Sequence, residues 1–171
     1  ISQKNAGPAK ARNVGAKTAK GDVLLFTDAD CIADPGWIEQ MLEPFSDKKV
    51  VGVQGRYKTK QRGVIPTFTQ LEIEQRYKKM EKENNIDFFG SYAAAYKRVI
   101  CLEFNGFDES FRTASGEDPE LSFRIAKAGH KMVFNPKAVI FHTHSPSLGK
   151  YLKSRYVRGY WGRLLYKMHP D

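Results

Sequence analysis

The chain has 171 residues, 28 of them basic against 19 acidic, for a formal net charge of +9. That is long enough for one domain with a buried core, and basic enough to favour anionic partners. Two cysteines, Cys31 and Cys101, exclude a disulfide-stapled scaffold and favour a reducing compartment; no apolar run reaches membrane-spanning length and no secretory signal is visible.

Residues 5–20 predict a turn at Gly7-Pro8 leading into a helix, with Gly21 placed to stop it. The apolar run Val23–Thr27 predicts a strand, followed by the acidic turn Asp28-Ala29-Asp30. Asp34-Pro35 reads as an N-cap with proline in the first turn, opening a helix to about Phe45. Strand character returns over 50–57, and a long charged helix is expected from Pro66 to about Asn84. A short strand over 92–96, the Asn105-Gly106 break, and a helix starting at Glu117-Asp118-Pro119 and stopping at Gly129 come next. Two short strands, 131–134 and 138–142, complete the pattern. Strands alternating with helices imply a layered α/β domain with a largely parallel sheet.

Two carboxylates at a strand's C-terminal end, one residue apart, suit a divalent cation that holds a phosphorylated ligand. A merely acidic turn is the simpler reading of Asp28 and Asp30 taken alone. Glu117 and Asp118 open a helix, where acidic residues also serve as ordinary caps. His142 and His144 follow a strand and are either imidazole ligands or packed side chains. From Ser145 to Asp171 six basic residues stand against one acid, interleaved with aromatics; this suits an interfacial helix on an anionic bilayer or a helix packed on its own domain.

Several segments in order resemble the family 2 glycosyltransferases. They are Asn5–Asn13 before the acidic strand, Gly21–Asp30 with its DxD, Gly106-Phe107-Asp108-Glu109, Gly116–Arg124 with its Glu-Asp pair, and Lys137–His142. The resemblance covers most of residues 5–145 and implies a GT-A-like layered domain, a mixed but mostly parallel sheet flanked by helices. It implies a domain over 1–145 that is N-terminally truncated, because the family's nucleotide-binding strand and loop lie upstream, and a basic aromatic helical segment over 146–171.

By the same resemblance Asp30, with Asp28 and His142, would hold Mn2+ or Mg2+, with His144 as the substitute ligand. Arg12, Asn13, Asp28 and Asp30 would contact the donor, a nucleotide-diphosphate sugar, UDP-linked by expectation. Asp118 would be the general base and Glu117 would position the acceptor, a glycan or lipid-linked hydroxyl, in an inverting displacement. Gly90-Ser91 and Gln54-Gly55 would let backbone approach the sugar, or are plain strand-end turns. The expected setting is cytoplasmic or the cytoplasmic face of a membrane, touched through the C-terminal segment, with no nucleic-acid partner. The competing readings are a nucleotidyltransferase with a similar metal site, and a non-catalytic basic module for nucleic acid.

Overall fold

The computed structural model describes residues 1–111 and 115–169. Among them the elements run α1 (Pro8–Thr18), β1 (Val23–Thr27), β2 (Cys31–Ala33), α2 (Trp37–Leu42), β3 (Val50–Lys58), α3 (Val64–Met80), β4 (Ala93–Lys97), α4 (Arg98–Glu103), α5 (Glu117–Lys127), β5 (Lys131–His142) and α6 (Leu148–Met168). Five strands make one sheet in the order β1-β4-β3-β5-β2. The sheet is mixed, as expected, but it is not mostly parallel. Only β3 and β5 run parallel; β1–β4, β3–β4 and β2–β5 are antiparallel. Alternation of strands and helices does not encode strand direction, and the excursion through α3 returns the chain beside β3 from the opposite end.

Local departures from the expected elements have local causes. Helix α1 ends at Thr18 because Ala19 is extended, before Gly21 is reached. Asp34 does not cap α2 with its side chain; its carbonyl accepts from Trp37 N at 2.9 Å, and the helix starts after Gly36. Pro44 then falls in a 3-10 turn over Glu43–Ser46. The two short C-terminal strands are one, β5, running through Asn135-Pro136. There the ladder with β3 shifts register between Gln54 and Arg56, so Pro136 falls at an irregularity, and Asn135 accepts from Lys137 N at 3.0 Å and donates to the Gln40 carbonyl at 2.7 Å. Strand β2 has no signature in the sequence, because three residues are too short to show a period.

The core lies in and beside the central strands. Ala93, Ala94, Ala95 and Tyr96 of β4, Val53 of β3 and Met132 and Ile140 of β5 are buried with Tyr77, Phe89, Leu121 and Ile125. Each large apolar side chain so buried contributes about 1.5–3 kcal/mol relative to exposure. Helix α6 packs back on this body: Phe68 of α3 meets Tyr151, Phe111 meets Trp161, and Leu165 is buried. It is continuous through Gly159 and Gly162, because tertiary contacts hold it where propensity would not.

Candidate active site

Strands β1 and β2 sit at opposite edges of the sheet, yet only residues 28–30 separate them. The acidic turn therefore crosses the end of the sheet, and β2 lands with Cys31 directly opposite His142 of β5. That register brings a residue from the far end of the chain to the turn. His142 Nε2 lies 3.1 Å from Asp30 Oδ2, and Tyr57 of β3 stacks on the imidazole with centroids 4.7 Å apart. One oxygen each of Asp28 and Asp30 and the Cys31 sulfur lie within 4.8 Å of one another. Two carboxylates and an imidazole are a donor set that a divalent cation accepts, and Nε2 is the His142 nitrogen turned to Asp30.

Arg12, on the inner side of α1, is the joint of the site. Its Nη2 donates to Asp28 Oδ1 at 3.2 Å and its Nη1 to Glu117 Oε1 at 2.7 Å, while Nη1 also lies 3.4 Å from Asp118 Oδ1. The acidic turn and the start of α5 thus meet within the span of one guanidinium. Arg12 is not a freely solvated helix residue: its side chain is 16% exposed and sits over the Phe107 ring. Burial opposes its charge, but Asp118, Glu117 and Asp28 outweigh that and hold its pKa above the ordinary value.

Helix α5 starts at Gly116, whose φ of +101° suits glycine, and carries three acids in its first turn, where the helix dipole favours negative charge. Glu120 is spoken for by Arg124, which donates to both its oxygens at 2.7 Å. Glu117 is buried and Asp118 partly so, and Glu117 Oε2 and Asp118 Oδ1 lack hydrogen-bond partners among the described residues. Burial, then the neighbouring Glu117, push the Asp118 carboxyl up to about 7, against the opposing pull of Arg12 and Ser91. A carboxyl there is ready to take a proton near neutrality.

Other expected residues have other partners. Asn13 clamps a loop: its amide accepts from Phe107 N and donates to the Phe107 carbonyl, both at 2.8 Å, and reaches Glu109 at 3.1 Å. His144 is buried, with Nε2 3.0 Å from Gln70 Oε1, and burial, then His142 and Arg158, lower its pKa to about 4. The two glycine dipeptides matter through their polar members. A Cβ on Gly55 would meet the Ala138 carbonyl at 2.7 Å and one on Gly90 the Tyr92 ring at 2.2 Å, so these glycines serve packing. Ser91 reaches the site, its N and Oγ both donating to Asp118 Oδ2 at 3.0 Å, and Gln54 supports that loop by accepting from Gly90 N at 2.6 Å. Only the adjoining glycines marked these two residues in the sequence.

Comparison with known proteins follows the same lines. The pre-mycofactocin glycosyltransferase of Mycobacterium tuberculosis is 29% identical over 171 residues, covering 96% of this chain and 36% of the relative, so the chain spans about a third of that protein. The structure resembles that of GalNAc-T7 with UDP, GalNAc and Mn2+, with a TM-score of 0.64 at 19% identity, covering 99% of this chain and 38% of the other. It also resembles the mannosyltransferase PcManGT from Pyrobaculum calidifontis in complex with GDP-Man and Mn2+, with a TM-score of 0.60 at 21% identity over 80% of this chain and 36% of the other. These likenesses establish the GT-A fold. The family model described as "Glycosyltransferase like family 2" matches residues 1–161, and the chain belongs to that family.

Proposed function

We propose that this site transfers a glycosyl group from a nucleotide-diphosphate sugar to an acceptor hydroxyl with inversion. The observation that carries the reading is the bridge by Arg12, which ties the acidic turn at Asp28 to Glu117 and Asp118 at the start of α5. The Asp118 carboxylate takes the proton of the acceptor hydroxyl. The acceptor oxygen forms the new bond to the anomeric carbon, whose bond to the diphosphate oxygen breaks with its electron pair leaving on the diphosphate. A single base with no enzymic nucleophile gives one displacement and therefore inversion. Glu117, buried and fixed by Arg12, supports the acceptor side of the site.

Asp28, Asp30 and His142 would hold Mn2+ or Mg2+, which when bound neutralises charge on the leaving diphosphate. Arg12 supplies fixed positive charge on the same side. The donor is UDP-linked in this reading, as for GalNAc-T7, although the PcManGT structure carries GDP-Man. The acceptor is a glycan or a lipid-linked hydroxyl at the cytoplasmic face of a membrane. No helix among the described residues is long and apolar enough to cross a membrane; the membrane contact in this reading is made through α6. A nucleic-acid-binding role is not favoured, since it leaves the buried acids of α5 without purpose.

The test pairs two variants. Asp118→Asn abolishes transfer and leaves nucleoside-diphosphate affinity unchanged, whereas Asp30→Ala removes Mn2+-dependent binding of nucleoside diphosphate in calorimetry. A thermal-shift panel of UDP- and GDP-sugars with Mn2+ identifies the donor. Transfer persisting in Asp118→Asn refutes the base assignment.

A further inference from the structure

Three consecutive backbone amides ahead of β4 each end on a side chain. Phe89 N donates to Ser122 Oγ at 3.1 Å, Gly90 N to Gln54 Oε1 at 2.6 Å, and Ser91 N to Asp118 Oδ2 at 3.0 Å. Ser122 Oγ in turn donates to the Pro119 carbonyl at 3.0 Å, and Gln54 donates to the Gly55 and Ala93 carbonyls at 2.8 and 3.0 Å. Gln54 and Ser122 are fully buried and Ser91 nearly so, so this loop is locked to β3 and to the first turn of α5. The Ser91 hydroxyl makes the second bond to the same Asp118 oxygen, at 3.0 Å, while Oδ1, buried and without a hydrogen bond among the described residues, lies 3.4 Å from Arg12 Nη1.

We propose that Ser91 is a positioning residue for the base, holding Oδ2 with its amide and hydroxyl while Arg12 stands against Oδ1, so that the carboxylate is kept ionised and in one orientation. This rests on reading Asp118 as the base. A carboxylate whose two oxygens are equivalent can rotate about its terminal torsion; two donors on one oxygen remove that freedom. Both donors also favour the ionised form, offsetting the burial and the Glu117 charge that disfavour it. The other groups facing Asp118 are Arg12 from α1 and the hydroxyls of Tyr92 and Tyr96 beside and on β4, with Asp28 beyond Arg12. Gln54 acts at one remove, through Gly90.

A carboxyl-13C NMR titration tests this without knowledge of the substrate, the Asp118 resonance being identified by its loss in Asp118→Asn. In Ser91→Ala the midpoint rises by about one pH unit, roughly the tenfold in ionisation that one hydrogen bond to a charged group supplies. Ser91→Thr, which keeps the hydroxyl, restores it, and Ser91→Gly gives a second reading of the same loss. With a donor sugar found by thermal shift, Ser91→Ala lowers kcat about fivefold at neutral pH, as the ionised fraction of a group titrating near 7 falls on a one-unit rise, leaves the donor KM unchanged, and recovers as pH rises. An unmoved midpoint overturns the proposal. If Asp118→Asn still transfers sugar, the base reading falls and the role of Ser91 with it; if that variant is inactive and Ser91→Ala keeps the parent's pH profile, only the role of Ser91 falls.

Discussion

At the scale of single residues, the site is a small set of charges whose neighbours set their behaviour. Asp118 shows the consequence most directly. Its carboxyl is raised to about 7 in the fold from an ordinary value of 3.8, so the folded chain binds this proton more tightly than the unfolded chain does. Stability contributed by the protonated form is therefore complete below about pH 4 and is lost as pH rises to about 7. Asp118→Asn removes the penalty. The melting temperature of that variant should match the parent near pH 4 and exceed it increasingly up to pH 7, by the equivalent of at most a few kcal/mol, since the lost attraction to Arg12 offsets part of the gain. Thermal melts across that range check it; a variant destabilised throughout would place Asp118 in a supporting role. A residue whose loss abolishes activity and raises stability is expected where function holds a charge in an unfavourable place.

At the scale of elements, the site is built where short segments from distant parts of the chain are clamped together. The loop after α4 is one such clamp. Gly106 has φ of +67°, and a Cβ there would meet Asn13 Oδ1 at 2.3 Å. Gly106→Ala should displace Asn13 from Phe107, freeing a buried N–H and carbonyl, and should cost roughly 2–4 kcal/mol from strain plus two hydrogen bonds. A denaturant midpoint lowered with unchanged slope checks this, and donor affinity should fall with it because Arg12 is the next residue on α1. Midpoints within error of the parent would show that the loop has a second conformation available. The site-bearing elements were partly legible in the sequence. The β1 run and the acid-rich start of α5 announce themselves by composition; β2 does not, because its position is set by pairing with 140–142 rather than by any pattern of its own.

At the scale of the whole molecule, α6 gives the domain a basic aromatic exterior. Its inner side is fixed: Tyr151 donates to Glu72 at 3.1 Å, Arg155 pairs with the same carboxylate, and Leu165 is buried. Its outer side carries Leu152, Lys153, Tyr156, Tyr160, Arg163 and Lys167 at helical spacing, with Tyr156 77% and Tyr160 65% exposed. Such a face suits the headgroup region of an anionic bilayer, where each basic residue contributes about 1 kcal/mol. The protein should co-sediment with vesicles containing anionic lipid, release as salt is raised, and lose several-fold in affinity on joint Tyr156→Ala and Tyr160→Ala substitution, with nucleotide binding unaffected. Equal affinity for neutral vesicles, or no change in the double variant, would count against this face as the contact.

What the sequence determined by itself is the chemistry available: an acidic turn behind an apolar strand, a pair of acids opening a helix, a histidine closing another strand, in an order that marks a glycosyltransferase-like family. These are local patterns, and local composition carries them. Only the tertiary structure decided which residues meet. Arg12 joining Asp28 to Asp118, His142 brought to Asp30 by the pairing of β2 with β5, and Ser91 spending both its donors on one carboxylate oxygen all depend on contacts between residues far apart in the chain. Strand direction and long-range hydrogen bonding leave no periodicity behind, so they are settled by how the whole sheet closes and not by any segment of it.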